Sequence, residues 1–541
     1  MKFGASELNH IYSFTFYVCL LWKSLWEHAK FKLNLIIILG CSKCWKEFPR
    51  ESFGEKPDYS GFDYDNYRPR YGSAHKLRAK EINKSRTKTE LRENESKYGV
   101  RYSELFRLEY FDPIGIRMHV IDPMHNLLLG TGKHMFKVWM QTGVINEKVH
   151  FDRILSLQNL IRVPNGHGRV AKNICKAFKS MKADEWKNFI LIYSQFCLKN
   201  ILSREQFEHW NVSVNACQIL CSRVISVQEV EKAHQLSIRF GKGLESIYGK
   251  EICTPNAHLH MHLKGCIDDF GPVYSFWCFS FERFNGILGS YQTNNKEISL
   301  IIMRKFCKQS LISTMDHADY YNFVGCVKSD FSLSNSFLLS RFTSTIDYLD
   351  HSSISLKTKG KRAPLSDEDF AGIELCCNQL YPDTELSLLK FASYYKRLNF
   401  AGDILSTNKY RKGKNTDKFV LSHHFDESGN ISKNERPAVI QDILSAEIEI
   451  GSSKKNIYLA DCLWLKLHPY INEFGKDCPM KIWSSICENL NLSRFVPINF
   501  IQRKFVRVLT QHEFPPSSLF NRRFIQADKV NFVIPLKSKT L

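Results

Sequence analysis

The sequence predicts an α/β chain: a strand-and-helix core, a large α-helical block, and a basic, β-rich C-terminal region. Three observations predict it. The β-type run Ile116-Arg-Met-His-Val-Ile121 gives way at Asp122-Pro123 to apolar residues at helical spacing: Met124, Leu127, Leu128, Met135, Val138 and Trp139. From about 145 to 250 the apolar period stays helical. Residues 495–541 are rich in strand formers, and from Ile501 onward eight Lys or Arg (Arg503, Lys504, Arg507, Arg522, Arg523, Lys529, Lys537, Lys539) face Glu513 and Asp528.

Each element has a local reason. Residues 1–39 carry two apolar runs, Ile11–Trp22 and Leu33–Leu39, separated by Lys23, Glu27, Lys30 and Lys32. A spanning helix needs about 20 mostly apolar residues, so neither run spans a bilayer alone. No small-residue cleavage site follows the first run; a membrane anchor through 11–39 stands as a lesser alternative.

Residues 40–75 are rich in Gly, Pro, Asp and Tyr and read as loop and turn. Residues 76–107 are charged, with few apolar positions, and read as an exposed helix or connector. At the strand-to-helix junction Asp122 can cap the free N–H groups, Pro123 fits the first turn, and Gly143 is a stop. These elements make a core over 40–144.

A helical segment follows over 145–270. Trp186, Phe189, Ile190, Tyr193 and Phe196 mark one helix face, and Val212, Ala216, Ile219, Leu220 and Val224 another. Residues 272–289 read as one more helix, which closes the core over 271–310. A connector over 311–430 holds the basic clusters Lys357–Arg362 and Lys409–Lys414. The basic C-terminal region covers 431–541.

Composition narrows the partners. Thirteen per cent of residues are aromatic, 39 of them Phe, which favours filled cores over disorder. Lys and Arg number 75 against 55 Asp and Glu, a net +20, and a field of that sign draws polyanions, nucleic acid first. Seventeen scattered cysteines, an odd number, fit reduced thiols in the cytosol or nucleus better than a disulfide framework. A phosphate-cradling glycine loop and a Gly-x-Ser-x-Gly elbow are both missing, so ATPase, dinucleotide oxidoreductase and elbow-hydrolase readings have no support.

Four groups of residues could carry chemistry. Asp122 could hold a hard cation such as Mg²⁺, with His125 facing the same way three residues on; it is equally a helix cap. Glu282 shares a helix stripe with Cys278, Asn285, Gly286 and Gly289, three of them small enough to admit a metal, a phosphate or another backbone; it is equally a solvated charge. His258, His260 and His262 would share one face of a strand, fit for a transition metal or phosphate, or would point outward from an edge strand. Cys41-Ser-Lys-Cys44 is half of a zinc pattern; His75, Cys253 or Cys266 could complete it, and spacing does not choose among them.

The segment Tyr110-Phe-Asp-Pro-Ile-Gly-Ile-Arg-Met-His-Val-Ile-Asp-Pro-Met-His-Asn-Leu-Leu-Leu-Gly-Thr-Gly-Lys-His134 resembles the "transposase domain-containing" proteins of fungi and animals. These are similar to the CACTA (En/Spm) DNA transposases of plants. Further matches are Gly40–Phe48, Cys253–Leu263 and Asp269–Gly286, in the family's order, over about 40–310.

The resemblance implies a ribonuclease-H-like catalytic core interrupted by a helical insertion. It implies Asp122 as the second catalytic Asp with His125 completing Asp-x-x-His, and Glu282 as the final Glu. It further implies Mg²⁺ or Mn²⁺, DNA as element ends and target, strand cleavage and transfer, a homo-oligomer when active, and the nucleus. Two Mg²⁺ ions held by carboxylates would activate the attacking oxygen and stabilise the leaving one. The family's first Asp precedes the Cys-x-x-Cys block, yet residues 1–40 contain no Asp, so the implied active site is one ligand short. Reuse of the fold for DNA binding without catalysis is the alternative.

Overall fold

The computed structural model describes residues 41–49, 56–100, 102, 117, 119–161, 163–164, 174–293, 297–307, 354–356, 360–382, 384–400, 403–410, 416–450, 453–476, 478–490, 493–514 and 526–536. The apolar runs within 1–39, and the anchor reading with them, lie outside these residues. No helix among the described residues is long and apolar enough to cross a membrane.

The helices used below are α1 (Gly72–Ile82), α2 (Lys88–Tyr98), α3 (Lys133–Gln141), α4 (Glu147–Leu160), α5 (Arg204–Leu220), α6 (Val227–Gly243), α7 (Pro255–His260), α8 (Leu263–Phe270), α9 (Phe279–Gly289) and α10 (Asp367–Leu380). The chain divides into two compact units, Met1–Thr131 with Ser237–Phe331, and Gly132–Leu236 with Ser332–Leu541. The described residues of the predicted 145–270 segment are mainly helical, and they contribute to both units.

The first unit is built of short helices. Thr87 caps α2 by accepting the Glu90 N–H at 3.1 Å, and Gly99 ends it at φ 58°. Asp122 opens a wide-turned helical stretch, Met124–Gly132. The strand expected at 116–121 is not formed where it is described: 117 and 119–121 belong to no ladder, and 116 and 118 lie outside the described residues. The helix expected over 272–289 starts late. Pro272 leads a single tight turn, Val273–Ser275, and regular α9 begins only at Phe279.

The second unit packs its helices through large rings. Trp139, Trp186 and Trp210 are fully buried, and Trp139 meets Trp210 edge-on at 5.2 Å. Ser203 and Gln206 close a reciprocal cap on α5.

Its strands are β1 (Ile354–Leu356), β2 (Lys361–Pro364), β3 (Leu386–Tyr395), β4 (Arg397–Phe400), β5 (Asp403–Ser406), β6 (Phe419–Ser422), β7 (Arg436–Ile450), β8 (Ser453–Leu467), β9 (Lys481–Glu488), β10 (Phe495–Pro497), β11 (Ile501–Phe514) and β12 (Gln526–Pro535). Six antiparallel strands close on themselves in the order β7-β8-β9-β12-β11-β6, with β6 returning to β7 through Phe419↔Val439. The ring encloses one buried cluster drawn from all six strands: Phe419, Leu421, Val439, Leu465, Trp483, Phe505 and Val533. Closure leaves the barrel strands no open edge. Beyond the ring, β3 and β2 extend from β7, and the free edge at β2 carries Lys361, Arg362 and Pro364, which oppose further pairing.

This barrel corrects the predicted fold class. A closed antiparallel barrel is not a ribonuclease-H-like sheet, and among the described residues no strand precedes Ile354. The C-terminal β-rich expectation holds, but β structure begins far upstream of 431: β1 to β6 and α10 lie in the stretch read as connector.

Candidate metal centre

The cysteine loop is shaped by its own backbone. Trp45 donates its N–H to the Arg68 carbonyl at 2.8 Å, and Arg70 donates to the Lys43 carbonyl at 2.9 Å, so 43–45 runs against 68–70. The Lys43 N–H points at Cys41 Sγ, 3.3 Å away. An amide two residues beyond each cysteine favours the thiolate, and the Lys46 N–H acts the same way on Cys44.

Across the unit, Thr254 caps α7 and Pro255 occupies its first turn. That start makes the stretch helical through His260, and a tight turn over Met261 and His262 carries the coil on, so it is not extended. On a helix, residues four apart share a face and residues two apart do not. The predicted three-histidine face therefore separates. His258 and His262 turn together, and His260 goes elsewhere, its Nε2 2.8 Å from Thr131 Oγ1, where burial pushes its pKa down to about 4.

The two halves meet. Cys41, Cys44, His258 and His262 are all buried, and their donor atoms lie within 4.8 Å of one another. Cys44 Sγ is 3.4 Å from His258 Nε2, and the His258 and His262 Nε2 atoms are 3.3 Å apart. A tetrahedral zinc ion, with bonds of about 2.0–2.1 Å to nitrogen and about 2.3 Å to sulfur, spaces two nitrogens by about 3.3 Å and nitrogen from sulfur by about 3.5 Å. The residues present therefore fit a metal such as zinc.

Electrostatics favours the ligating forms. The hydrogen bond from Cys44 outweighs burial and, with His258 and His262, holds the Cys41 thiol far below its ordinary value. Cys44, donating to Cys41 and buried, is pushed up correspondingly. The pair thus shares one proton, which a cation would displace. Burial lowers His258 and keeps its imidazole neutral. Aromatic rings wall the site: Phe48 stands edge-on to His258 at 5.0 Å, and Tyr67 lies 5.2 Å from it. His75, Cys253 and Cys266, the other candidates to complete the cysteine pair, are not in the cluster.

Asp122 is a worked helix cap. Its Oδ1 accepts the N–H groups of Met124 (3.2 Å) and Cys278 (2.9 Å), and its Oδ2 accepts the His125 N–H (3.1 Å) and faces His125 Nδ1 (2.5 Å). Burial would raise its pKa, but the bonds from His125 and Cys278 prevail and hold it below the ordinary carboxyl value. The third group converging with Asp122 and His125 is Cys278, whose thiol burial and Asp122 push up. Sequence reasoning noted Cys278 only as a small residue on the Glu282 stripe. Glu282 lies one turn further along α9, exposed, its N–H on the Cys278 carbonyl at 2.8 Å. It is outside the converging group, and nothing in this arrangement supports Mg²⁺.

No protein-family model, curated protein or solved structure matches the chain.

Proposed function

We propose that the chain is a DNA-binding protein of transposase ancestry, one unit of which is stapled by a zinc ion on Cys41, Cys44, His258 and His262. The observation that carries this reading is the convergence of those four buried side chains at tetrahedral spacing. Two of the four sequence blocks that resemble the transposase family, Gly40–Phe48 and Cys253–Leu263, supply the two halves of that cluster.

Two thiolates and two imidazoles suit a borderline-soft ion and not Mg²⁺. Four protein ligands in a buried site leave no open position for a substrate, so the ion's role is to fix structure. The net charge of +20 supplies the attraction to DNA, and DNA as partner places the protein in the nucleus.

The test is metal analysis of the purified full chain together with duplex DNA binding across a salt series. One zinc per chain and an affinity that falls steeply with salt are expected. Metal-free, folded protein would overturn the staple, and no binding to duplex DNA at low salt would overturn the partner.

A further inference from the structure

We propose that the α1–α2 hairpin is the arm that grips the DNA backbone, and that the cysteine loop of the metal centre holds this arm in place through Arg70. The inference rests on the DNA-binding reading and names its contact surface.

The hairpin is nearly all surface. α1 buries His75, Ala79 and Ile82, the last two against Val100, and α2 buries none of its residues. Lys80, Lys84, Arg86, Lys88 and Arg92 are exposed, and none of them is in an ion pair among the described residues. Two of the nearby acids are occupied instead. Glu81 pairs with Arg78 at 2.8 Å, and the Glu90 carboxylate accepts the Arg86 backbone N–H at 2.8 Å. Cations with no internal partner, on a surface with little else to bury, complement a polyphosphate. Lys88 and Arg92 stand one turn apart on the same face of α2, beside the turn that carries Lys84 and Arg86. Phosphate contacts of this kind position a protein on a duplex without reading its sequence.

The mounting is buried and specific. Arg70 is 4% exposed and lies 4.1 Å over the Trp45 ring. Its Nε donates to the Cys44 carbonyl at 3.0 Å, and its Nη1 to the Tyr98 and Gly99 carbonyls at 3.2 and 3.4 Å. One guanidinium thus ties the metal-binding loop to the end of α2. The strand-like pairing of 43–45 with 68–70 fixes the entry to α1 two residues later. Both ends of the hairpin are thereby anchored to the cysteine loop.

The experiment uses the full, metal-loaded chain and a fluorescent DNA duplex titrated at several salt concentrations. The variant K84Q/R86Q/K88Q/R92Q is compared with K148Q/R153Q/K232Q/R239Q, which removes the same charge from exposed positions on other helices. Removing one cation that neutralises a phosphate lowers the magnitude of the salt slope by about 0.9. The hairpin variant is expected to lower it by about 2 or more and to weaken binding at least tenfold, beyond the control variant. Arg70→Gln, with its metal content intact, is expected to weaken binding in the same direction.

Equal slopes for the two quadruple variants would overturn the arm while leaving the DNA reading intact. Failure of the unmodified chain to bind duplex would overturn both. Preference for single-stranded RNA of equal length would overturn DNA as the arm's partner.

Discussion

His258 and His262 stand one helical turn apart with their Nε2 atoms 3.3 Å from each other, and Cys44 Sγ lies 3.4 Å from the first of them. Two imidazole nitrogens this close in a buried site meet either through a shared proton or through a cation that both ligate. With Cys41 held as a thiolate beside them, the cation satisfies more lone pairs than the proton does. Cys44→Ser and His262→Ala are therefore expected to drop bound zinc from one per chain to near zero, measured by plasma mass spectrometry. Chelation should lower the melting temperature of the unmodified chain and leave those of the variants unmoved. Cobalt substitution should give tetrahedral thiolate absorption that both variants lack.

Asp122 satisfies three backbone N–H groups at once, from Met124, His125 and Cys278. Removing a helix cap costs about 0.5–2 kcal/mol, and the bond to Cys278 brings Asp122→Ala toward or past the upper end. Its pKa is lowered on folding, so the stabilisation is present above the ordinary carboxyl range and is lost as pH falls through the folded value. Urea unfolding at neutral pH checks the first claim. Glu282→Ala, at an exposed position on α9, should change the unfolding free energy by no more than about 0.5 kcal/mol. Equal losses for the two variants would contradict the cap.

The parts legible in sequence were those that local period decides. The helices at 183–198 and 204–220 follow from rings and aliphatics at helical spacing, and Ser203 marks a start. His258-Leu-His-Met-His262 alternates like a strand, yet Thr254 and Pro255 commit it to a helix, and those two residues were the signal that could have paired His258 with His262. The cysteine pair was visible, but its partner His258 lies 214 residues away, a distance that spacing does not bridge. Closure of the barrel was equally hidden. It depends on four-residue β6 finding both β7 and β11, and Phe419–Ser422 carries no period of its own.

His75 gives the first unit a pH signature. It is buried in α1, and burial, with His119 and Arg70 nearby, pushes its pKa down to about 4. The folded chain keeps it neutral, while the unfolded chain binds a proton below about 6.5. Stability therefore falls as pH drops from about 6.5 to about 4 and is constant in this term above that window, by up to about 3 kcal/mol. The metal ligands titrate too, so the comparison is between the unmodified chain and His75→Gln. The variant should show a shallower fall in urea midpoint across the window. Parallel curves would remove His75 as the cause.

In the second unit, Lys504 on β11 is 2% exposed and lies 3.3 Å from both Asp403 and Asp417, themselves 8% and 3% exposed. A buried cation between two acids is a poor source of net stability but a costly one to break, because truncating it strands uncompensated charge. Lys504→Ala should cost about 3–5 kcal/mol, read as a drop in the unfolding midpoint of the full chain. Adding Asp403→Asn and Asp417→Asn to Lys504→Met should recover much of that loss, since no charge is then left behind in the core. A triple variant as unstable as Lys504→Ala alone would show that the lysine stem's packing, and not its charge, is what β11 requires.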